Sequence, residues 1–414
     1  MNAFTSIFLA AFVIHVAVHA WLTLRHQRHV LARRDSVPAA FAAQIPLDAH
    51  RKAADYTVAK MRLERVEIAW NALLLLGWTL GGGLDALDRL WRAAEWPPLA
   101  TGTAFLLSAF VIMAILYLPA VLYRTFVIEQ RFGFNRMSLH LFVVDLAKQA
   151  ALLVAIGTPL AALVLWLMGA AGSYWWLWVW AVWMAFSVLM AWAYPSFIAP
   201  IFNTFKPLED EALRARIENL LHRNGFPSRG VSVMDGSTRS THGNAYFAGF
   251  GANRRIVFFD TLLDELDTAE IESVLAHELG HFKRRHVQKN IAILAVLSLA
   301  LLAMLGWLIE APWFYAGFGV SQPSVHVALL LFVLVQDVFI FWLLPLFARL
   351  SRKFEFEADA YAARHADAGA LIRALVKLDR SSASTLTPDP LYSAFHDSHP
   401  PAPIRVAHLT AMLR

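Results

Sequence analysis

Three residues within five, His277, Glu278 and His281, carry the clearest chemistry in this 414-residue sequence. They lie in the stretch SVLAHELGHFKRRH, residues 273–286. On a helix, His277 and His281 are i, i+4 neighbours on one face, and two neutral imidazoles so placed suit Zn²⁺. Glu278 projects to the side where a zinc-bound water would sit. Zinc there acidifies the water and polarises a peptide carbonyl, while Glu278 takes the proton and passes it to the leaving amine. The bland alternative is a solvated helix end whose polar residues hold nothing.

A catalytic zinc takes three protein ligands and keeps one position open. His286 is the nearest candidate in sequence, but the longer spacing H-E-x-x-H-x-x-G-x-x-H would need histidine at position 287, where Val287 stands. A better source is Arg352-Lys-Phe-Glu355-Phe-Glu357-Ala-Asp359, just after the last apolar run. The helix of HELGH is expected to continue into the sixth apolar run, and the seventh to return antiparallel on the same face. Glu355 and Asp359 are i, i+4, so one can ligate while the other braces a ligand histidine. Residues 237–247 are polar and then strand-like. A strand edge over Asn244, Ala245, Tyr246 and Phe247 could align an extended peptide through its main chain, and Asn244 could donate to a developing oxyanion.

The elements that must position these residues belong to a membrane protein. Apolar types make up 58% of the chain and charged types 16%, against a soluble globule. The absence of cysteine excludes disulfides, thiolate ligands and a cysteine nucleophile. A net charge of +5 gives no reason to expect a nucleic-acid partner. Seven stretches, near 4–24, 66–84, 101–123, 143–169, 174–194, 288–309 and 325–348, are long enough to cross roughly 30 Å of hydrocarbon. The first has no Lys or Arg before it and Arg25, Arg28, Arg33 and Arg34 after it, which fits an uncleaved span with its N-terminus outside. Basic and non-basic loops then alternate, leaving both large polar segments in the cytoplasm.

The expected organisation is four parts: spans one to five over 1–194, a cytoplasmic segment with HExxH over 195–287, spans six and seven over 288–348, and a C-terminal cytoplasmic segment over 349–414. In the first cytoplasmic segment, Pro195, Pro200 and Pro207 should stop the preceding helix. A helix over 208–224 is expected to end at Gly225. A strand over 231–234 follows, then a hairpin of 244–250 with 255–259 turning at 251–254. Asp267 and Glu270 form a capping box at the start of the HELGH helix. The fold class is therefore mainly α, polytopic, with a small sheet in a zincin-like cytoplasmic domain.

Seven spaced blocks in this order resemble the integral-membrane zinc metalloproteases of the type I CAAX prenyl endopeptidase family. They are FVIEQRFGFN (126–135), YPSFIAPIFNTFKPL (194–208), STHGNAYFAGF (240–250), RIVFFDTLL (255–263), HELGH (277–281), SRKFEFEADAYA (351–362) and SHPP (398–401). The resemblance implies one zinc held by His277, His281 and Glu355, with Glu278 as general base and Asp359 behind the ligands. It makes Glu357 a non-ligand, gives Asn244 and His399 to the tetrahedral intermediate, and has Arg405 support the site. It also implies seven tilted helices around a water-filled chamber, which would accommodate Asp145, Lys148, Gln336 and Asp337. The substrate would be a peptide or protein, prenylated or embedded in the bilayer.

The Ala- and Arg-rich composition suggests a bacterial inner-membrane protein with a periplasmic N-terminus, and a cytoplasmic active site and C-terminus. Membrane-protein quality control is an alternative role for the same chemistry. A reading from another class is a seven-helix transporter or receptor with a structural zinc, which has no use for Glu278. A catalytically dead scaffold would not keep every candidate catalytic residue.

Overall fold

The apolar runs become helices that outlast them. In the computed structural model, which describes residues 2–226, 230–248 and 255–413, six helices are long and apolar enough to cross a membrane. They are Ala3–Ala32, Pro98–Phe132, Leu139–Ala170, Gly172–Phe202, His286–Leu308 and Val325–His365. The expected span at 66–84 falls on the second half of a helix over Leu47–Trp78. Its first nineteen residues carry Arg51, Lys52, Lys60, Arg62 and Arg65, so the apolar part alone is short for a crossing. That helix stops at Thr79, and Gly82, at φ +78°, turns the chain.

The prolines after the fifth span do not end its helix. It continues through a π-helical turn over Tyr194–Ile198 and stops at Asn203. Pro195 and Pro200 sit in the first turns of their helical segments, where a missing N–H costs least. Inside the bundle, a cavity of about 560 Å³ is lined by His15, His19, Asn71, Tyr117, Asp337 and His396. Asp145 is not left alone: Arg239 donates to both its oxygens at 2.9 and 3.1 Å. Lys148 donates to the Ile201 carbonyl at 2.8 Å.

The part outside the long apolar helices is built on a four-stranded sheet, β1 (Phe205–Pro207), β2 (Val231–Met234), β3 (Ala245–Ala248) and β4 (Arg255–Phe259), in the order β1-β2-β4-β3. The β3–β4 pair is antiparallel, pairing Tyr246 with Val257; the expected turn at 251–254 lies outside the described residues. β2 runs parallel to β4, pairing Ser232 with Val257, and β1 extends the sheet antiparallel on β2. The helix after β1 covers Glu211–Arg223, with Gly225 at φ +59° just beyond it.

One apolar core then joins the segments 195–287 and 349–414. Ile217, Leu220 and Leu221 from that helix meet Ile256 and Phe258 of β4, Leu275 and Leu279 of the HELGH helix, and Ala362, Leu371 and Leu409 from the C-terminal segment. A loop from the membrane part supports the strand leading to the site. Arg136 N–H donates to the Arg239 carbonyl at 3.0 Å, and Thr241 N–H to that of Phe134 at 3.1 Å.

The helix carrying HELGH spans Thr268–Lys283 and packs along Leu344–His365, the C-terminal part of the last long helix. It does not run into the sixth span as expected. The chain breaks after Lys283, Arg285 adopts φ +57°, and a new helix starts at His286. Gly280 sets the distance between the packed helices. A Cβ there would lie 2.8 Å from Ala358 Cα and 3.0 Å from its carbonyl oxygen, both backbone atoms that cannot step aside. Gly280→Ala should therefore destabilise the fold by about 1–3 kcal/mol, the usual cost of overpacking. Thermal unfolding in detergent checks this, expecting a lowered Tm; an unchanged Tm would show that the helices can separate freely.

Candidate metal centre

The HELGH helix is fixed in rotation before it reaches its histidines. The Asp267 carboxylate accepts from the Ala269 and Glu270 N–H groups at 2.9 Å, and Glu270 accepts from the Asp267 N–H at 2.9 Å. Glu270 is fully buried and receives Lys377 at 2.7 Å. Ser273 Oγ lies 2.9 Å from the carbonyls of Ala269 and Asp367, tying the next turn to the C-terminal segment. With that phase set, the i, i+4 pair His277 and His281 faces the helix that carries Glu355.

Three side chains converge there. His277 Nε2 and His281 Nε2 are 3.2 Å apart; Glu355 places Oε2 3.4 Å from the first and Oε1 3.3 Å from the second. The edge of a tetrahedron around a metal with bonds of about 2.0–2.1 Å is about 3.3–3.4 Å, so the spacing fits a zinc-sized cation. Glu355 Oε2 is buried without a hydrogen-bond donor, an arrangement that is costly unless a positive charge completes it. Among the described residues, this is the group of His and carboxylate side chains with metal-ligand spacing.

The ligand set is held from behind. His277 Nδ1 lies 2.8 Å from Asp359 Oδ1, which accepts from it and leaves Nε2 with its lone pair toward the cluster. Arg405 grips Asp359 with both arms of its guanidinium, Nε to Oδ2 at 2.9 Å and Nη2 to Oδ1 at 2.6 Å. Its Nη1 also lies 3.5 Å from Glu355 Oε2. Burial depresses the His277 imidazole, but acceptance by Asp359 and Glu355 overrides this and raises it to about 9.

Glu278 differs from its neighbours. Among the described residues it has no hydrogen bond or ion pair. Burial pushes its carboxyl above the usual range, an effect opposed by His277 and His281. It is thus an unengaged carboxylate next to the cluster.

The remaining sequence candidates fall in different places. His399 reaches the cluster, with Nε2 3.3 Å from Glu355 Oε1, and is largely exposed. Asn244 is exposed at the head of β3, its carbonyl accepting from Phe259 N–H at 2.9 Å and its Oδ1 from Ala245 N–H at 2.8 Å. Its side-chain amide nitrogen is left free, and among the described residues it has no hydrogen bond to His277, Glu278, His281 or Glu355. The side chains of Ala245 and Phe247 belong to the core under the sheet, while Tyr246 packs on the opposite face near Phe259. The strand's period of two therefore spends these side chains on packing. What β3 offers is its main chain, since it is the sheet's edge.

Two contacts were not expected from sequence. His286, the residue set aside as a ligand, is buried with Nδ1 3.0 Å from His281 Nδ1 and Nε2 3.0 Å from Glu357 Oε2. Glu129 of the FVIEQRFGFN block accepts from Tyr56 at 2.5 Å and lies 3.5 Å from His242, which connects that block to the strand before the site. Nothing in local spacing signals either pairing.

Comparison with known proteins agrees with this architecture in both halves. Residues 26–204 match a family model described as CAAX prenyl protease N-terminal, five membrane helices, and residues 207–413 match peptidase family M48. A CAAX prenyl protease 1 homolog of Arabidopsis thaliana is 38% identical over 343 residues, covering 80% of this chain and 79% of the relative. The Homo sapiens homolog is 31% identical over 463 residues, covering 100% of this chain and 97% of the relative. The crystal structure of S. mikatae Ste24p superposes with a TM-score of 0.90 at 29% identity, covering 99% of each chain. The family implies a metal, typically zinc, which the cluster of His277, His281 and Glu355 is able to hold. The chain belongs to peptidase family M48, with the CAAX prenyl proteases, and is a multi-pass membrane metallo-endopeptidase.

Proposed function

We propose that one zinc ion per chain is held by His277, His281 and Glu355, and that peptide-bond hydrolysis takes place beside it. The observation that carries this reading is the convergence of three side chains, with the two imidazole nitrogens 3.2 Å apart and each within 3.4 Å of one oxygen of the Glu355 carboxylate. When bound, the ion supplies Lewis acidity toward the scissile carbonyl and toward water. Glu278, free of other partners, takes the proton of the attacking water on its carboxylate and delivers it to the leaving amine. Asp359 keeps the His277 proton on Nδ1, and Arg405 fixes Asp359 in turn. The extended substrate pairs with the main chain of β3. The free amide of Asn244 and the ring of His399 stabilise the oxygen that becomes negative in the transition state.

The substrate is a peptide or protein, prenylated or membrane-embedded, presented at the cytoplasmic face. This is supported by the relatives' description as CAAX prenyl proteases and by the position of the cluster among the arginine-rich loops. We assign seven spans, counting the apolar half of Leu47–Trp78, with the N-terminus periplasmic in a bacterial inner membrane. Segments 195–287 and 349–414 act as one protease body, supported by their common core.

Glu278→Gln should retain zinc while peptidase activity falls by about 10²–10⁴-fold, the range of a general base. Activity on a quenched peptide together with metal analysis of the same sample checks this, and undiminished cleavage would remove Glu278 from the role. Metal analysis of ligand variants gives a second outcome. The intact chain should carry about one zinc, His277→Ala should lose it, and Glu355→Ala should lose more than Glu357→Ala. The reverse order for the two glutamates would move the third ligand by half a turn.

A further inference from the structure

We propose that His286 and Glu357 form a positioning relay that fixes the ring and tautomer of His281. This is a second brace, independent of the Asp359–Arg405 brace on His277, and it rests on the reading of His281 as a zinc ligand. Four observations carry it. His286 Nδ1 is 3.0 Å from His281 Nδ1, and its other nitrogen, Nε2, is 3.0 Å from Glu357 Oε2. The His286 side chain is buried, and its ring lies flat on Phe354, with centroids 4.2 Å apart and planes 11° from parallel. Lys289 and Lys353 stand 3.7 and 3.9 Å from the Glu357 carboxylate and favour its charged form.

The hydrogen-bond roles follow from the chain of contacts. A carboxylate can only accept, so His286 carries its proton on Nε2 and directs it at Glu357. In the neutral ring, Nδ1 is then an acceptor, and the atom facing it, His281 Nδ1, must carry a proton. That leaves the lone pair of His281 on Nε2, the atom that points at His277 Nε2 and Glu355. Each link removes an alternative tautomer of the next. The result matches what Asp359 does for His277, reached here through an intervening imidazole.

The backbone break after Lys283 is what makes the contact available. Five residues along a continuous helix are about 140° apart around its axis, so His281 and His286 could not face each other. The left-handed conformation of Arg285, at φ +57°, is one that non-glycine residues adopt infrequently. It interrupts the helix, and His286, the first residue of the sixth span, meets His281 of the HELGH helix. The departure from the continuous helix expected from sequence is thus the condition for the relay.

The test uses the full chain in detergent, loaded with zinc and titrated with a competing chelator, with thermal unfolding of each metal-free variant alongside. His286→Phe keeps the ring stacked on Phe354 but has no nitrogen. It should bind zinc about 10–100-fold more weakly, the range for loss of a ligand's hydrogen-bond partner, without lowering the metal-free Tm. At position 357, glutamine can still accept from His286 and methionine cannot. Glu357→Gln should therefore bind zinc within about twofold of the unaltered chain, and Glu357→Met should weaken it as His286→Phe does. If His286→Phe does not fold, the contrast between glutamine and methionine at 357 decides. Equal zinc affinity for those two variants, or unaltered affinity in a folded His286→Phe, overturns the relay. An unaltered chain that fails to bind zinc overturns the metal reading itself, a result distinct from failure of the relay alone.

Discussion

The structure depends on one close approach, that of the HELGH helix to the helix carrying Glu355 and Asp359. Gly280 permits it, because any side chain there would meet the backbone of Ala358. Everything polar in the site follows from that crossing. It brings two imidazole nitrogens to one carboxylate and places Asp359 against the far side of His277. It also sets Glu357 beside His286. Burying these groups is costly, since Glu355, Asp359 and His277 have left water and Arg405 alone brings a fixed charge of the opposite sign. A bound dication reverses the balance, which is why metal binding and the folded arrangement reinforce one another.

The membrane helices position this crossing as well as anchoring it. The Glu355 helix is the continuation of the last span beyond its apolar run, and the sixth span starts three residues beyond the HELGH helix. Arg239, from the segment before β3, binds Asp145 on a membrane helix, so this edge strand is tied to the bundle too. Glu129, on the long helix from Pro98, holds the same segment through His242. The protease body is therefore attached to the bilayer through its catalytic elements themselves.

Much of this was legible in the sequence because it depended on local rules. The i, i+4 spacing put His277 with His281 and Glu355 with Asp359, and the capping box marked the start of the helix at Asp267. Apolar runs located the spans, though not their ends, because helices continue into polar sequence once packing supports them. Pro195 and Pro200 suggested a stop, yet a π-helical turn and first-turn positions made them tolerable. β1 was missed because three residues ending in Pro207 carry no strand signal alone and form a strand only by pairing with β2. The parallel β2–β4 pairing and the His286–Glu357 contact join residues more than twenty positions apart, so no window of sequence contains them. Residues 245–247 were expected to offer a main-chain edge, and β3 does lie at the edge of the sheet, while alternation commits the side chains of Ala245 and Phe247 to the core, a detail no local signal gave.

The central claim is that two imidazoles from one helix and a carboxylate from another form a single zinc shell. Zinc-edge X-ray absorption on the purified full chain tests it most directly. The account predicts a first shell of nitrogen and oxygen at about 2.0–2.1 Å, with the outer-atom scattering of two imidazole rings. Replacing Glu355 with alanine should remove an oxygen scatterer while leaving both ring signatures in whatever zinc remains. A shell with three imidazoles, or one unchanged by that replacement, would contradict the account.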